Sequence, residues 1–511
     1  MPPPNFPATL WDLLAPHPAE TIALAAPGRP PLSSGALRTL AEDTVAALNR
    51  RGIGRNDRLA IVLPNGPEMA AAFVALGCGA TTAPLNPAYR AEEYEFYLGD
   101  LGAKTLVVEA GSESPARAVA EKLAIPVLEL NWQDTDPAGL FQLSGEMTGL
   151  QSHAAGWAGP ADQGLVLHTS GTTSRPKIVP LTQGNLCASA HHIATTLALT
   201  AVDRCMNIMP LFHIHGLVAA VLASLKAGGS VYCTLGFNAL KVYGWLTDAE
   251  PSWYTAVPTM HQAILSRAAR QREAIASLKL RFIRSSSSSL PPQVMAELEK
   301  TFKAPVLESY GMTEAAHQMT SNPLPPAPRK PGSVGVAAGP EVAILDEQGN
   351  ILGPDQVGEI AIRGPNVTAG YENNPKANAE SFTAGWFRTG DQGTLDAEGY
   401  LRITGRLKEI INRGGEKVSP REVDEVLMDH PAVAQVVTFA LPHPKLGEEV
   451  AAAAVLREGM GVDEAELRAF AAARLADFKV PRKIVFLDEI PKGATGKLQR
   501  IGLAEKLGLT A

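Results

Sequence analysis

From about residue 36 onward, short apolar runs alternate with stretches in which apolar positions recur every three to four residues. "RLAIVLP" (58–64) is a nearly continuous apolar run of strand length, "GPEMAAAFVALGCG" (66–79) has the spacing of a small-residue helix, and "TLVVEA" (105–110) is a further strand. Strands alternating with helices in this way predict a layered α/β architecture with mostly parallel sheets. No segment repeats at solenoid periods. The Pro-rich "NPLPPAPRKPG" (322–332) and "GPDQVGE" (353–359) are expected as loops around strands that include "EVAILDE" and "EIAIRG".

After "GYLRITGR" (399–406) the pattern becomes compact and self-sufficient. "VAQVVTFAL", "EEVAAAAVL" and "KIVFLDE" read as strands, and "DEAELRAFAAARLA" reads as a helix. Ser419-Pro420-Arg421-Glu422 combines capping-box spacing with proline at the first helical position, ahead of the apolar positions Val423, Val426 and Leu427. A large N-terminal domain, residues 1–407, and a small C-terminal domain, residues 408–511, are therefore expected.

One stretch breaks the rhythm. "RSSSSSLPP" (284–292) resembles a solvated linker by composition, yet it follows the strand-like "LKLRFIR" and precedes "LPPQVMAELEKTF", an apolar-periodic helix starting near Pro292. It is expected as a strand-to-helix turn, a place where α/β folds put ligands.

The chain has 511 residues, 45% hydrophobic and 19% charged, with a net charge of −7, so it has the composition of a globular protein with room for two or more cores. The negative balance argues against a surface built for nucleic acid or anionic membrane. The N-terminus lacks a basic region ahead of an apolar core, and no segment reaches about 20 apolar residues free of Gly and Pro, so neither signal peptide nor membrane span is expected. Cys78, Cys187, Cys205 and Cys233 have neither metal-knuckle nor redox spacing and are expected as buried, reduced thiols, in keeping with a cytoplasmic protein.

"LVLHTSGTTSRPK" (165–177) leads from a strand into a run of Ser, Thr and Gly and ends in Lys177. Small residues let backbone N–H groups close around phosphate oxygens, and a lysine adds a point charge, so ATP or another polyphosphate is the natural ligand. The spacing is not that of a Walker loop. His213 and His215 form an H-x-H that could chelate a metal from a strand, but no third ligand is apparent.

The run from Thr169 through Ser170, Gly171, Thr172 and Thr173 to Lys177 resembles the phosphate-loop signature of the adenylate-forming superfamily, which includes the acyl-CoA synthetases. "YGMTE" (310–314), "RTGD" (388–391), "GRLKEIINRGGEKVSP" (405–420) and "PKGATGKLQR" (491–500) follow in that family's order and extend the resemblance over essentially the whole chain. The resemblance implies ATP-dependent activation of a carboxylic acid as an acyl-adenylate, then transfer to coenzyme A, with Mg²⁺ required. It implies that Thr169 to Thr173, Lys177, Ser287, Glu308, Ser309, Tyr310, Gly311, Met312 and Thr313 surround the nucleotide, with Tyr310 against adenine. It further implies that Glu314 holds the magnesium, that Asp391 and Arg406 meet the ribose, and that Lys497 acts with Thr169 and Glu314 in catalysis. Lys408 would be the hinge of a rotating C-terminal domain, and Gly414 and Gly415 would line a pantetheine tunnel.

By the same resemblance the acyl pocket draws its walls from "PLFHIHG" (210–216), "WYTAVPT" (253–259), the serine turn, and a helix following Glu314, "AAHQM". These segments offer His213, His215, Ser285 to Ser289, His317 and Gln318, a polar set in which a fatty chain would leave donors unpaired, and His213, Ser287, Ser289 and His317 are expected to bind the acid. "FIRSSSSSLPP", "AVPTMHQ" and "MTEAAHQMTSNPLP" resemble the oxalate–CoA ligase branch of the family. Oxalate is the expected acid, with malonate, acetate, glycolate or a medium-chain fatty acid as alternatives, and with a stand-alone module loading a carrier protein as a different class. Cation supply for a dianion looks thin in the motifs. A monomer or homodimer is expected.

Overall fold

In a computed structural model, residues 6–145, 147, 154–169, 176–492 and 498–509 are described. Among them, two large sheets form the bulk of the N-terminal part. The first has nine strands, and its central run is parallel: Val306–Met312, Phe282–Ser285, Trp253–Ala256, Arg204–Asn207, Ser230–Cys233 and Ile22–Ala25 lie side by side in that order. The second has seven strands, parallel from Val127–Asn131 through Thr105–Glu109, Arg58–Val62 and Thr81–Pro84 to Gln163–Thr169, which then pairs antiparallel with Lys177–Thr182.

The helix Pro67–Gly77 is buried at every position and touches strands of both sheets. Its Ala-rich sequence follows from that position, because an all-round buried helix wedged between two sheets has no room for longer side chains. A third sheet contains Glu341–Leu345, Gly358–Arg363, Trp386–Leu395 and Leu401–Arg406. The C-terminal strands Ile411–Arg413, Val433–His443, Gly447–Leu456 and Lys483–Phe486 belong to a fourth. The main hydrophobic core reaches as far along the chain as Leu401, and a separate cluster begins at Ile411. All four cysteines are buried free thiols. Among the described residues no helix is long and apolar enough to cross a membrane.

Two local expectations are corrected. The helix Pro420–Met428 starts where its sequence predicts, but the capping box does not form: Ser419 Oγ donates to the Thr404 carbonyl, and Glu422 accepts from Lys479 Nζ at 2.7 Å. Proline at the first position leaves one fewer N–H to satisfy, which frees both side chains for these contacts. The segment after Glu314 is not a helix. A single 3₁₀ turn, Thr313–Ala315, leads into the strand His317–Ser321, which runs back antiparallel along Val306–Met312.

Candidate functional site

The site assembles where strand ends of the first sheet meet the phosphate-loop strands of the second. Thr169 ends one strand and Lys177 begins the next, and the two are register partners across the antiparallel pair. Ser170, Gly171, Thr172 and Thr173 lie outside the described residues. The Lys177 ammonium stands 4.2 Å from the centre of the Tyr371 ring. Burial lowers its pKa, and the charge of Lys408 lowers it further.

Tyr371 also donates its hydroxyl to Glu314 Oε1 at 2.7 Å. Glu314 is 5% exposed, and burial raises its carboxyl pKa against the opposing pull of that hydrogen bond. The strap that delivers Tyr371 is fastened at both ends. Asn366 Nδ2 donates to the Ala315 and Gln318 carbonyls, and the Glu372 N–H donates to the Ile178 carbonyl at 3.1 Å. The sequence reading gave Tyr371 no role; its only signal was a tyrosine after glycine in a loop between predicted strands.

Among the described residues no three acidic, histidine or cysteine side chains converge on one point. One carboxylate beside a phosphate loop suits Mg²⁺, which usually takes one or two carboxylates and fills its shell with phosphate oxygens and water.

The hairpin carrying Glu314 is tightly constrained. Ala316 and His317 both adopt positive φ, 46° and 103°. A Cβ on Gly311 would lie 1.8 Å from the His317 carbonyl oxygen, so the bare backbone at Gly311 is what admits the turn. His317 is 1% exposed, and its ring lies 4.9 Å from that of His215.

Tyr310, Asp391 and Arg406 form one connected group. Tyr310 donates its hydroxyl to Asp391 Oδ2, and Arg406 Nε donates to Asp391 Oδ1 at 2.8 Å. Asp391 and Arg406 are register partners on adjacent antiparallel strands, which explains how residues 15 apart in sequence meet. The aspartate raises the already high pKa of the Arg406 guanidinium, which keeps its charge.

The serine turn connects the strand Phe282–Ser285 to the helix Pro292–Phe302, as its flanks predict. Its residues divide the work. Ser286 Oγ donates to the Ser309 carbonyl at 3.0 Å, Ser309 Oγ donates to the Ser285 carbonyl at 3.3 Å, and Glu308 accepts the Leu290 N–H at 2.8 Å. Burial pushes the Glu308 carboxyl up to about 7. Ser287 has a φ of 72° and is half-buried, with Oγ 3.0 Å from His215 Nδ1. Ser289 is also half-buried.

His215 opens a fully buried π-helical segment, His215–Leu222, a geometry found often at functional sites. The His213 ring instead accepts the His215 backbone N–H within its own turn, at 3.2 Å from Nδ1.

Behind His215 lies Arg284, fully buried. Its Nη1 is 3.4 Å from His215 Nε2 and 3.5 Å from Thr255 Oγ1, and its Nη2 is 3.3 Å from Gln318 Oε1. Sequence reasoning missed Arg284, although it opens the serine run, because a charged residue at a strand end is ordinarily solvated.

In the C-terminal unit Lys497 lies outside the described residues. Gly414 and Gly415 both have positive φ, 62° and 101°, and Lys408 is exposed just beyond the strand Leu401–Arg406. Lys492 lines a cleft together with Pro210, Leu211 and Phe212 of the large part.

The AMP-binding enzyme model matches residues 14–372, and the model of the AMP-binding enzyme C-terminal domain matches residues 422–497. The chain is 47% identical over 483 residues to an oxalate–CoA ligase of Arabidopsis thaliana, covering 94% of each chain. It is 42% identical over 475 residues to an oxalate–CoA ligase of Saccharomyces cerevisiae, covering 88% of this chain and 87% of the relative. Among solved structures, ATP-bound MatB from Rhodopseudomonas palustris superposes with a TM-score of 0.87 at 29% identity, covering 98% of each chain. The phosphate strands and the buried Glu314 thus fall inside the first matched model and most of the C-terminal unit inside the second, and the chain belongs to the AMP-binding enzyme family.

Proposed function

We propose that the chain is an ATP-dependent acid–thiol ligase that activates oxalate as oxalyl-AMP with release of pyrophosphate, then transfers the oxalyl group to coenzyme A with release of AMP. The observation that carries the acid is the polar wall made by Ser287 and His215, whose nitrogens lie within 3.0 Å of two hydroxyl oxygens. Such a wall leaves hydrogen-bonding groups unmatched against an alkyl tail, at a cost of about 1–3 kcal/mol for each. It matches an acid whose far end is a second carboxylate. The oxalate–CoA ligases at 47% and 42% identity support the same reading.

In this reading Lys177 and the Ser/Thr-rich loop hold the phosphates, and Glu314 supplies an oxygen to Mg²⁺, which neutralises phosphate charge when bound. Tyr310 and Asp391 receive the nucleoside, with Arg406 Nε bonded to Asp391 Oδ1 to hold it in place. Lys497 stabilises the charge that develops as the acid carboxylate attacks the α-phosphorus and the bond to pyrophosphate breaks. Rotation of the C-terminal unit at Lys408 then brings Gly414 and Gly415 to the pantetheine path, and the thiol displaces AMP.

The test is pyrophosphate exchange and thioester formation across oxalate, malonate, glycolate, acetate, hexanoate and a carrier protein. Oxalate is expected to rank first in kcat/KM; a ranking below acetate or hexanoate would refute the substrate. Preferential loading of a carrier protein would favour a stand-alone adenylation module.

Tyr371→Phe keeps the ring under Lys177 and removes the donor to Glu314. Hydrogen bonds to charged groups are worth about 1.5–3 kcal/mol, so the Mg²⁺ half-saturation point is expected to rise about tenfold or more while the KM for ATP stays near the wild-type value. Magnesium titration of the exchange reaction reads both.

A further inference from the structure

We propose that Arg284 fixes the direction of a buried hydrogen-bond line, through Thr255 and His215, that ends in the hydroxyl of Ser287 and turns that hydroxyl into a donor for the non-reacting carboxylate of the acid. The proposal deepens the reading of the acid as a short dianion and rests on it.

Donor inventory sets the direction. A guanidinium has N–H groups and no acceptor. Arg284 Nη1 faces both Thr255 Oγ1 at 3.5 Å and His215 Nε2 at 3.4 Å, so both of those atoms meet a donor. Thr255 therefore accepts from the arginine and gives its own proton to His215 Nε2, 2.6 Å away. A proton on Nε2 would set donor against donor beside the guanidinium, and a doubly protonated ring would place a second cation next to it in a dry site. The remaining ring nitrogen, Nδ1, then carries the hydrogen and donates it to Ser287 Oγ at 3.0 Å. With its oxygen already accepting from the histidine, Ser287 turns its own O–H away from that ring, toward the half-open side of the turn.

Three further features fit. Ser287 holds a φ of 72°, which residues with a Cβ adopt at a cost and which concentrates at functional sites. Ser286 engages its hydroxyl in the wall of the turn instead of the cleft. Arg284 is fully buried with no acidic partner among the described residues, and its Nε has no hydrogen-bond acceptor. Burial draws its pKa down to about 9, which still leaves it charged at neutral pH. A buried cation without a counter-charge is costly in the empty protein, and a dianion arriving in front of Ser287 supplies that charge.

A double-mutant cycle tests the line with oxalate as the probe. Arg284→Gln and Ser287→Ala are each expected to raise the KM for oxalate about tenfold or more, with the KM for ATP unchanged, the scale of one hydrogen bond to a charged group. Arg284→Lys should recover part of the loss. The double variant should be no worse than the poorer single variant, because both break one line. Losses that multiply in the double variant, or an equal rise in the KM for ATP, would overturn the proposal. Should Arg284→Gln fail to fold, Thr255→Val cuts the same line without removing the buried charge, and its cycle with Ser287→Ala carries the same expectations. If the wild-type protein ignores oxalate, the substrate reading fails by itself. The cycle is then run on the acid that ranks first, where Ser287→Ala without effect on that acid's KM overturns the line.

Discussion

Gly311→Ala is expected to cost stability and the metal-dependent step together. The added methyl group would meet the His317 carbonyl oxygen at 1.8 Å and its carbonyl carbon at 2.6 Å, both backbone atoms with no rotamer to escape into. The facing strand cannot retreat easily. Asn366 holds the carbonyls on either side, those of Ala315 and Gln318, at 2.8 and 3.0 Å, and His317 already sits at a φ of 103°. Overpacking of this kind costs about 1–3 kcal/mol and occasionally more, and here the clash is with fixed backbone, so the upper end is expected. Because Glu314 lies in the turn that must shift, the Mg²⁺ requirement should rise with the loss of stability. Thermal denaturation and magnesium titration check the two effects; a variant with wild-type melting and wild-type Mg²⁺ dependence would show that the hairpin does not need this glycine.

Lys497→Ala is expected to separate the two half-reactions. Loss of one preorganised charge donor costs on the order of 10²–10³ in rate, so pyrophosphate exchange should fall by that factor. Conversion of supplied oxalyl-adenylate and coenzyme A to thioester should survive, because in the proposed two-conformation cycle the lysine acts only in the first half-reaction. The described residues on either side of Lys497 are tied to one another and to the C-terminal unit. Lys492 and Leu498 form an antiparallel bridge, and Arg500 is paired with Asp424 at 2.9 Å and with Glu409 at 3.1 Å. Burial raises the pKa of Asp424, while Arg500 pulls it the other way, so the anchor is strongest with both groups ionised. Equal losses in both half-reactions would defeat the two-conformation account.

Part of the candidate site is written in local motifs. The phosphate-loop run, "YGMTE", "RTGD" and the lysine-bearing "GATGKLQR" are short, local and ordered, so linear sequence is enough to find them. The serine run was likewise legible as a turn, because the strand before it and the helix after it have opposite periodicities. The strand His317–Ser321 was not. "AAHQM" has no alternation to betray it, and its conformation is set by pairing with Val306–Met312, in which Ser309 meets Ser321 and Tyr310 meets Thr320.

The capping box at Ser419 failed for a related reason. A local motif offers one set of hydrogen bonds, and Thr404 and Lys479, far along the chain, offer another. The sequence named His213 for the acid, whereas the fold sets His215 beside Ser287, Thr255 and Arg284; their spacing puts both in one loop, and only the start of the π-helical segment separates their surroundings.

The amino-acid sequence by itself determined the α/β order, the chemistry of nucleotide binding and the place of the serine turn, because periodicity and contiguous motifs are local properties. Only the tertiary structure decided what stands behind that turn. Parallel pairing sets Thr255 beside Arg284, and the fold of the segment from Pro210 brings His215 onto both. A charge that reads as solvated in the chain becomes a buried donor once three distant segments close around it.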